Sequence, residues 1–205
     1  MPGAFLPMKS SRLLLALGLS LVVGVSSARA NEIFKIDPAH STIAFKVRHL
    51  FGTAKGKFTK FNGTIDVDRE HPEKSSVTVS MQTASIDTAN AKRDEHLCSE
   101  DFFNVPKFPE ITFKSRRVKQ TGPTAGEITG DLTMHGVTRE ITLRVELLGT
   151  PESVAKNQTT RWRVTTAPVK RSEFGLSWSK GVEAVSMIGD EVSVNIEIEA
   201  ARGVR

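Results

Sequence analysis

The segment Glu191–Glu199 reads EVSVNIEIE and alternates strictly between two kinds of side chain. Its aliphatic residues occupy the even positions Val192, Val194, Ile196 and Ile198. Successive side chains of a β-strand point to opposite faces, so this pattern predicts a strand with one face in an apolar core and the other in water. The sheet that contains it should be antiparallel, because strands of parallel sheets are buried on both faces.

The same alternation recurs along most of the chain, in segments 42–48, 77–82, 111–114, 126–136, 141–147 and 162–166. Turn-forming pairs such as Asp37-Pro38 and His135-Gly136 separate these segments. Phe58 and Phe61 differ in parity, which predicts a kink near the Asn62-Gly63 pair if both face the core. Many short strands without the regular strand–helix alternation of βαβ units predict an antiparallel sandwich or barrel, and the pattern leaves these two architectures open.

One segment interrupts the strand pattern. Residues 90–103 read NAKRDEHLCSEDFF, are rich in helix formers and contain no β-branched residue. Thr88 or Asn90 is a candidate N-cap. The apolar edge of the segment consists of Leu97, Phe102 and Phe103. A helix this short is not stable alone, so we expect it to dock on the sheet and to cover one end of an open barrel.

The N-terminal residues 1–30 have the organisation of a secretory signal peptide. Lys9 and Arg12 precede an apolar run of residues 13–25, and Ala28-Arg29-Ala30 supplies small residues for cleavage after Ala30. The run is shorter than the roughly 20 residues that a membrane anchor requires. We therefore expect an exported protein, periplasmic in a Gram-negative bacterium, with residues 31–205 forming a single domain.

Charge and composition remove several function classes. The chain carries a formal net charge of +5, which falls to +2 without Lys9, Arg12 and Arg29, so nucleic acid is not an expected partner. A single cysteine excludes an intramolecular disulfide and a cysteine-based zinc cluster. The five histidines lack the close spacing of a compact metal site, and catalytic motifs such as G-x-S-x-G or H-E-x-x-H do not occur. No catalytic residue and no metal site are predicted.

His49 has the parity of Ile43, Phe45 and Val47 and should point inward. It is interpreted either as a core histidine that donates to a backbone carbonyl or as a polar anchor for the head group of a ligand.

An ordered series of short motifs runs from Phe34 to Ala200. Its pieces are Asp37-Pro38-Ala39-His40-Ser41-Thr42, Gly56-Lys57-Phe58, Phe61-Asn62-Gly63, Ser85-Ile86-Asp87-Thr88, Arg93-Asp94-Glu95-His96-Leu97, Asp101-Phe102-Phe103, Phe108-Pro109-Glu110-Ile111-Thr112-Phe113, residues 130–138 (GDLTMHGVT), Arg171-Ser172-Glu173-Phe174-Gly175 and Ile188-Gly189-Asp190-Glu191-Val192. Each piece is weak alone, but the ordered set is specific. It resembles the YceI-like family of periplasmic polyisoprenoid-binding proteins.

The resemblance implies an all-β fold, an eight-stranded antiparallel barrel similar to lipocalins, which holds a polyisoprenoid or quinone-like lipid in its lumen without a cofactor. Burial alone could hold such a tail, at about 0.8 kcal/mol per CH₂. The expected tunnel-lining residues are Ile43, Phe45, Val47, Phe58, Ile65, Val79, Met81, Phe113, Leu132, Met134, Leu143 and Val145. Leu97, Phe102 and Phe103 would close one end, and His49 is the candidate head-group contact.

Two alternatives stand beside this interpretation. One is an enzyme that acts on a lipid or quinone, with His49 or His96 as its acid–base group. The other is a stress-related structural or interaction module whose barrel is filled by side chains, since a filled barrel has the same alternation. The expected partner is an amphiphilic isoprenoid, with transient membrane contact. The oligomeric state, a dimer included, is not fixed by the sequence.

Overall fold

The structure is a computed structural model that describes residues 31–49, 52–148, 158–177 and 188–203. The predicted signal peptide at residues 1–30 lies outside these ranges. Within them, no helix is long and apolar enough to cross a membrane.

Strands make up most of the described chain. They are β1 (Glu32–Ile36), β2 (Thr42–His49), β3 (Gly52–Phe58), β4 (Phe61–Val67), β5 (Ser76–Gln82), β6 (Ile86–Asp87), β7 (Glu110–Gln120), β8 (Ala125–Met134), β9 (Val137–Leu147), β10 (Thr159–Thr166), β11 (Val169–Lys170) and β12 (Glu191–Arg202). The α-helix of these ranges is α1 (Ala91–Cys98), and 3₁₀ turns lie at Pro72–Lys74, Thr83–Ser85 and Arg171–Phe174.

The strands form a closed antiparallel barrel. Some strands are two halves of one long, interrupted strand, namely β1 with β2, β3 with β4, β5 with β6, and β10 with β11. The two halves of each hydrogen-bond to the same neighbouring long strand. The barrel therefore has eight long strands, each paired with the next along the chain. β12 closes it by pairing with β1 (Ile36 opposite Ala200) and with β2 (Ile43 opposite Ile196). The predicted fold class is confirmed.

The register defines two ends of the barrel. The helix end carries α1, the end of β2 at His49, the start of β3 at Gly52 and the turn between β8 and β9. The loop end carries segments 68–75 and 120–125, together with the start of β1 and the end of β12.

The strand formed by β3 and β4 is interrupted at Thr59-Lys60. The Thr59 amide donates to the Ser85 carbonyl and the Gln82 amide donates to the Lys60 carbonyl, so the interruption faces the 3₁₀ turn on the opposite strand. The expectation of a kink near Asn62-Gly63 was wrong, because these two residues stay in the β4–β5 ladder. The interruption still resolves the parity conflict, since Phe58 and Phe61 both pack in the core.

Helix α1 is shorter than the segment 90–103 predicted from composition. Asn90 is its N-cap, and the side-chain oxygen accepts from the Arg93 amide at 3.1 Å. The helix ends at Cys98, because Ser99 turns back and donates from both its amide and its hydroxyl to the His96 carbonyl. Phe102 and Phe103 follow in turns and are buried. They dock this segment on the barrel, since no residue of α1 itself is buried.

The interruption between β1 and β2 holds an exposed pair, His40 and Asp37, whose Nδ1 and Oδ2 atoms are 2.7 Å apart. The hydrogen bond to Asp37 and the charge of that carboxylate raise the pKa of His40 above 6.5. The same hydrogen bond, with that from the Ala39 amide, lowers the pKa of Asp37 below 3.8.

We expect the His40 imidazole to titrate above pH 6.5 in an NMR pH series, and its midpoint to fall in Asp37→Asn. His40 protonation therefore favours folding below pH 6.5, and this contribution is lost as the pH rises through the raised pKa. Identical midpoints in the two proteins would contradict the pairing.

Candidate functional site

The interior of the barrel is not filled by side chains. It contains a cavity of about 840 Å³ that extends from Pro72 and Gly122 at the loop end to His49 and Leu97 at the helix end. This volume lies within the range of about 300–1,000 Å³ that ligand sites occupy. For comparison, an engineered apolar cavity of about 150 Å³ stays dry and binds small apolar molecules. The cavity of this barrel is several times larger.

The fifteen residues predicted to line or close the tunnel all border this cavity. They are Ile43, Phe45, Val47, Phe58, Ile65, Val79, Met81, Leu97, Phe102, Phe103, Phe113, Leu132, Met134, Leu143 and Val145. Those on strands face the cavity because a strand turns every second side chain toward the axis, whereas Leu97 lies in α1 and Phe102 and Phe103 lie in the turns after it. Their contact with a ligand remains a prediction.

Sequence reasoning missed part of the wall. The inward residues of β12 border the cavity, and so do residues of β8, β9 and β10; they include Ile128, Ile141, Trp162, Val164, Val192, Val194, Ile196 and Ile198. The sequence contains the information needed to find the β12 residues, because the alternation of this strand predicts that its even positions face a core. The wall is therefore aliphatic or aromatic around the whole circumference.

Four phenylalanines form an aromatic cluster at the helix end, consisting of Phe45, Phe58, Phe102 and Phe103. Ring centroids of Phe45 and Phe58 are 5.9 Å apart, and those of Phe58 and Phe103 are 6.4 Å apart. Phe102 meets Phe103 edge to face at 5.1 Å. The cluster links β2 and β3 to the turns after α1, so it joins the helical segment to the barrel wall.

Polar side chains border the cavity at the helix end. His49 lies there, and so does Arg93 of α1. Both side chains are exposed. The Arg93 guanidinium donates from Nε to the Thr88 hydroxyl at 2.7 Å and from Nη2 to the Thr88 carbonyl at 2.8 Å. His96 does not border the cavity; its Nε2 lies 3.9 Å from an Asp101 carboxylate oxygen. Of the two candidate acid–base groups of the enzyme alternative, only His49 therefore borders the lumen.

The loop end has a different polar rim. Arg69 borders the cavity there, but it is paired with Glu32 at 2.8 Å. The Asp68 carboxylate accepts from the backbone amides of Glu70 and His71. Lys119 lies opposite Glu127 in the β7–β8 ladder. Arg69 and Asp68 are thus held by partners within the protein, and Lys119 also borders the cavity at this end.

Arg171 is buried at the helix end of the barrel wall, with 6% of its surface exposed. Its guanidinium donates to the carbonyls of Leu176 (2.7 Å), Gly189 (3.1 Å) and Ile188 (3.2 Å). This fastens the 3₁₀ turn Arg171–Phe174 to the segment that leads into β12. Sequence reasoning recognised Arg171 only as part of a motif, because carbonyl acceptors leave no mark in a sequence.

Asp190 continues this fastening, since it accepts from the Ser172 amide at 3.0 Å and from the Ser172 hydroxyl at 2.8 Å. Burial raises the pKa of Asp190, but the two hydrogen bonds and the charge of Arg171 outweigh burial and lower the pKa below its usual range.

Reactive chemistry has little support among the described residues. No group of three or more histidine, cysteine, aspartate or glutamate side chains is placed to hold a metal ion in the described ranges. Cys98 is partly buried, and burial together with the nearby Asp94 raises the pKa of its thiol, which disfavours the reactive thiolate. The arrangement is suited instead to enclosing an elongated apolar molecule with one polar end.

The chain was compared with known proteins. It is 33% identical over 196 residues to the UPF0312 protein PA0423 of Pseudomonas aeruginosa, covering 95% of this chain and 99% of that protein. Among solved structures, BcnA of Burkholderia cenocepacia has a TM-score of 0.72 at 22% identity and covers 81% of this chain and 99% of its own. A polyisoprenoid binding domain from Saccharophagus degradans has a TM-score of 0.62 at 14% identity and covers 83% of this chain and 98% of its own. These structural likenesses establish the barrel fold.

Residues 34–200 match the YceI-like domain, the same span over which the sequence motifs occur in order. Both this match and the likeness to UPF0312 proteins extend over most of the chain. The protein therefore belongs to the YceI-like domain family.

Proposed function

We propose that this protein is a periplasmic carrier or sequestering protein that holds a polyisoprenoid or isoprenoid-quinone amphiphile in the lumen of its barrel. The observation that carries the proposal is the apolar cavity of about 840 Å³, which is bordered by side chains at both the loop end and the helix end of the barrel. The polyisoprenoid binding domain of similar fold from Saccharophagus degradans supports the same ligand class.

Burial supplies the affinity in this proposal. Each CH₂ group removed from water contributes about 0.8 kcal/mol, so a tail of a few isoprene units binds without polar contacts along the wall. A purely apolar wall discriminates weakly between lipids of similar length. Polar selectivity therefore belongs to the ends of the lumen.

In this proposal the head group of the ligand lies at the helix end. His49 and Arg93 border the lumen there, and both are exposed. Arg93 uses two of its donors on Thr88, and a guanidinium has five in all. At the loop end, by contrast, Arg69 is paired with Glu32. Both arginines use Nε and Nη2 in these bonds, but Arg69 bonds a carboxylate whereas Arg93 bonds the neutral hydroxyl and carbonyl of Thr88, which favours the helix end for a polar head group.

The alternatives are less well supported. An unfilled lumen disfavours an interaction module with a packed core. The enzyme alternative requires an oriented acid–base group, and of its two candidates only His49 borders the cavity. Transient contact with a membrane, where such lipids reside, is part of the proposed role.

The test is native mass spectrometry of the full-length gene product, purified from the periplasmic fraction of a Gram-negative host. We expect a polypeptide that begins at Asn31, which reports cleavage after Ala30, and an added mass that matches an isoprenoid lipid. Organic extraction followed by fragmentation identifies that lipid.

The delipidated protein is then mixed with geranylgeraniol, which it should take up in a one-to-one complex. A protein without co-purifying lipid that also takes up no added prenol would overturn the proposed binding. A chain that retains residues 1–30, or that is found only in the cytoplasmic fraction, would overturn the proposed export.

A further inference from the structure

Three glycines on the inner face of the wall lie beneath large side chains. The pairs are Phe45 over Gly56, Ile36 over Gly63 and Phe113 over Gly130. A Cβ atom added at any of these glycines would lie 2.4 to 2.7 Å from the tip of the covering side chain. Such distances are far shorter than a carbon–carbon contact of about 3.5–4.0 Å. The missing side chains therefore allow the covering groups to lie flat against the wall.

Gly56 differs from the other two in what a Cβ would meet. The atoms nearest to it are Cζ and Cε1 of Phe45, at 2.4 and 2.9 Å, and Cγ2 of Thr88, at 2.9 Å. These are all side-chain atoms. At Gly63 and Gly130 the added atom would also meet a backbone carbonyl, at 2.7 and 2.5 Å. A methyl group at position 56 therefore moves a side chain, whereas at the other two positions it also strains the sheet.

The Phe45 ring borders the lumen and is directly opposite Gly56 in the β2–β3 ladder. Phe58 lies 5.9 Å away on the same wall, and Phe103 continues the aromatic cluster. A side chain added at position 56 would push the Phe45 ring away from the wall, and the lumen is the space into which the ring can move. The position of this one ring thus controls the free width of the lumen beside α1.

We infer that the contact between Gly56 and Phe45 is a specificity-determining feature, which sets the width of the lumen at the helix end so that a methyl-branched chain can occupy it. This inference rests on the proposed lipid-binding function and adds a selection by chain width. With the ring on the wall, the lumen accepts branched isoprenoid chains. With the ring displaced inward, it accepts straight alkyl chains more readily than branched ones.

The test compares Gly56→Ala with the wild type in binding farnesol and 1-dodecanol, a saturated alcohol whose main chain has the same length but no methyl branches. Displacement of a fluorescent apolar probe gives both dissociation constants. We expect about tenfold weaker farnesol binding, equivalent to the exclusion of about two buried carbons, and less than about a twofold change for 1-dodecanol. The matched control is Gly203→Ala, where an added Cβ meets no atom closer than 3.5 Å.

A second substitution separates ring displacement from general damage. In Gly56→Ala/Phe45→Leu the clashing ring is absent, so farnesol binding should recover relative to Gly56→Ala alone, a non-additive result expected of two groups in contact. If circular dichroism shows that Gly56→Ala is unfolded, Phe45→Trp narrows the same point without a new Cβ and should show the same selective loss of farnesol.

Equal losses for the two alcohols, or a loss that Phe45→Leu does not relieve, would overturn the selection by width while leaving lipid binding intact. A wild-type protein that binds neither alcohol would overturn the proposed function itself. The two failures are therefore distinguishable.

Discussion

Val145→Trp should bind geranylgeraniol at least about 30-fold more weakly than the wild type while remaining folded. Val145 borders the lumen and lies between Gly126 of β8, which has no side chain, and Val164 of β10, so space for an indole is available on one side and toward the lumen. The indole would occupy the path of a long ligand. Each C₅ unit that it displaces forfeits up to about 4 kcal/mol of burial, at about 0.8 kcal/mol per carbon.

Isothermal titration calorimetry with geranylgeraniol and with the shorter geraniol measures this effect. The loss should be smaller for geraniol, because a short chain fits beside the blockage. Arg144→Trp is the matched control, since residue 144 is the preceding position on β9 and is exposed. Its binding should match that of the wild type.

Thermal unfolding of Val145→Trp distinguishes an open lumen from a filled core. Overpacking a filled core costs about 1–3 kcal/mol, whereas an indole that enters existing space costs little. A large fall in Tm combined with unchanged binding would mean that the ligand site lies elsewhere.

Arg171→Met should lower the free energy of unfolding by about 3 kcal/mol, the largest effect on stability that we expect from a single substitution. The variant keeps an unbranched apolar stem but removes the donors to the carbonyls of Leu176, Ile188 and Gly189. A buried acceptor left without its partner costs about 1–3 kcal/mol. For a domain of this size the change corresponds to a fall in Tm of roughly 6–12 °C.

Arg163→Met provides the comparison for this experiment. Arg163 pairs with Glu146 at 3.1 Å on the outer face, and both side chains are about half exposed. Exposed ion pairs contribute about 0–1 kcal/mol, so its Tm should change by no more than a few degrees. Comparable falls in the two variants would show that the buried hydrogen bonds of Arg171 do not hold this corner of the barrel.

The wall of the lumen could be predicted from the sequence because alternation is a local property. Ile43, Phe45 and Val47 are two residues apart, and the pleat of one strand is enough to turn all three inward. The closed barrel could not be derived in the same way. A sandwich and a barrel share the same alternation, and only the resemblance to a family separated them before the pairing of β1 with β12 was seen.

Features that depend on distant partners were missed or misplaced. The interruption at Thr59-Lys60 arises from hydrogen bonds to residues 82–85 on another strand, so the local turn signal of Asn62-Gly63 was misleading. The role of Arg171 depends on carbonyls of residues 176, 188 and 189, and any residue type supplies a carbonyl. Gly56 is informative only once Phe45 is known to lie over it.

The pairing of β12 with both β1 and β2 has a consequence for how the protein folds. The first and last strands of the sheet are neighbours, so the contacts that seal the wall join residues 145 to 168 positions apart in the chain, from Val47 with Val192 to Phe34 with Arg202. Contacts of such high sequence separation form slowly, because a long loop must close before they give any stabilisation. The lumen is closed only when β12 pairs with β1 and β2, and we expect this closure to be a late step of folding. If the proposed lipid is present when the seam closes, the barrel can form around it, and the lipid need not thread through a finished barrel.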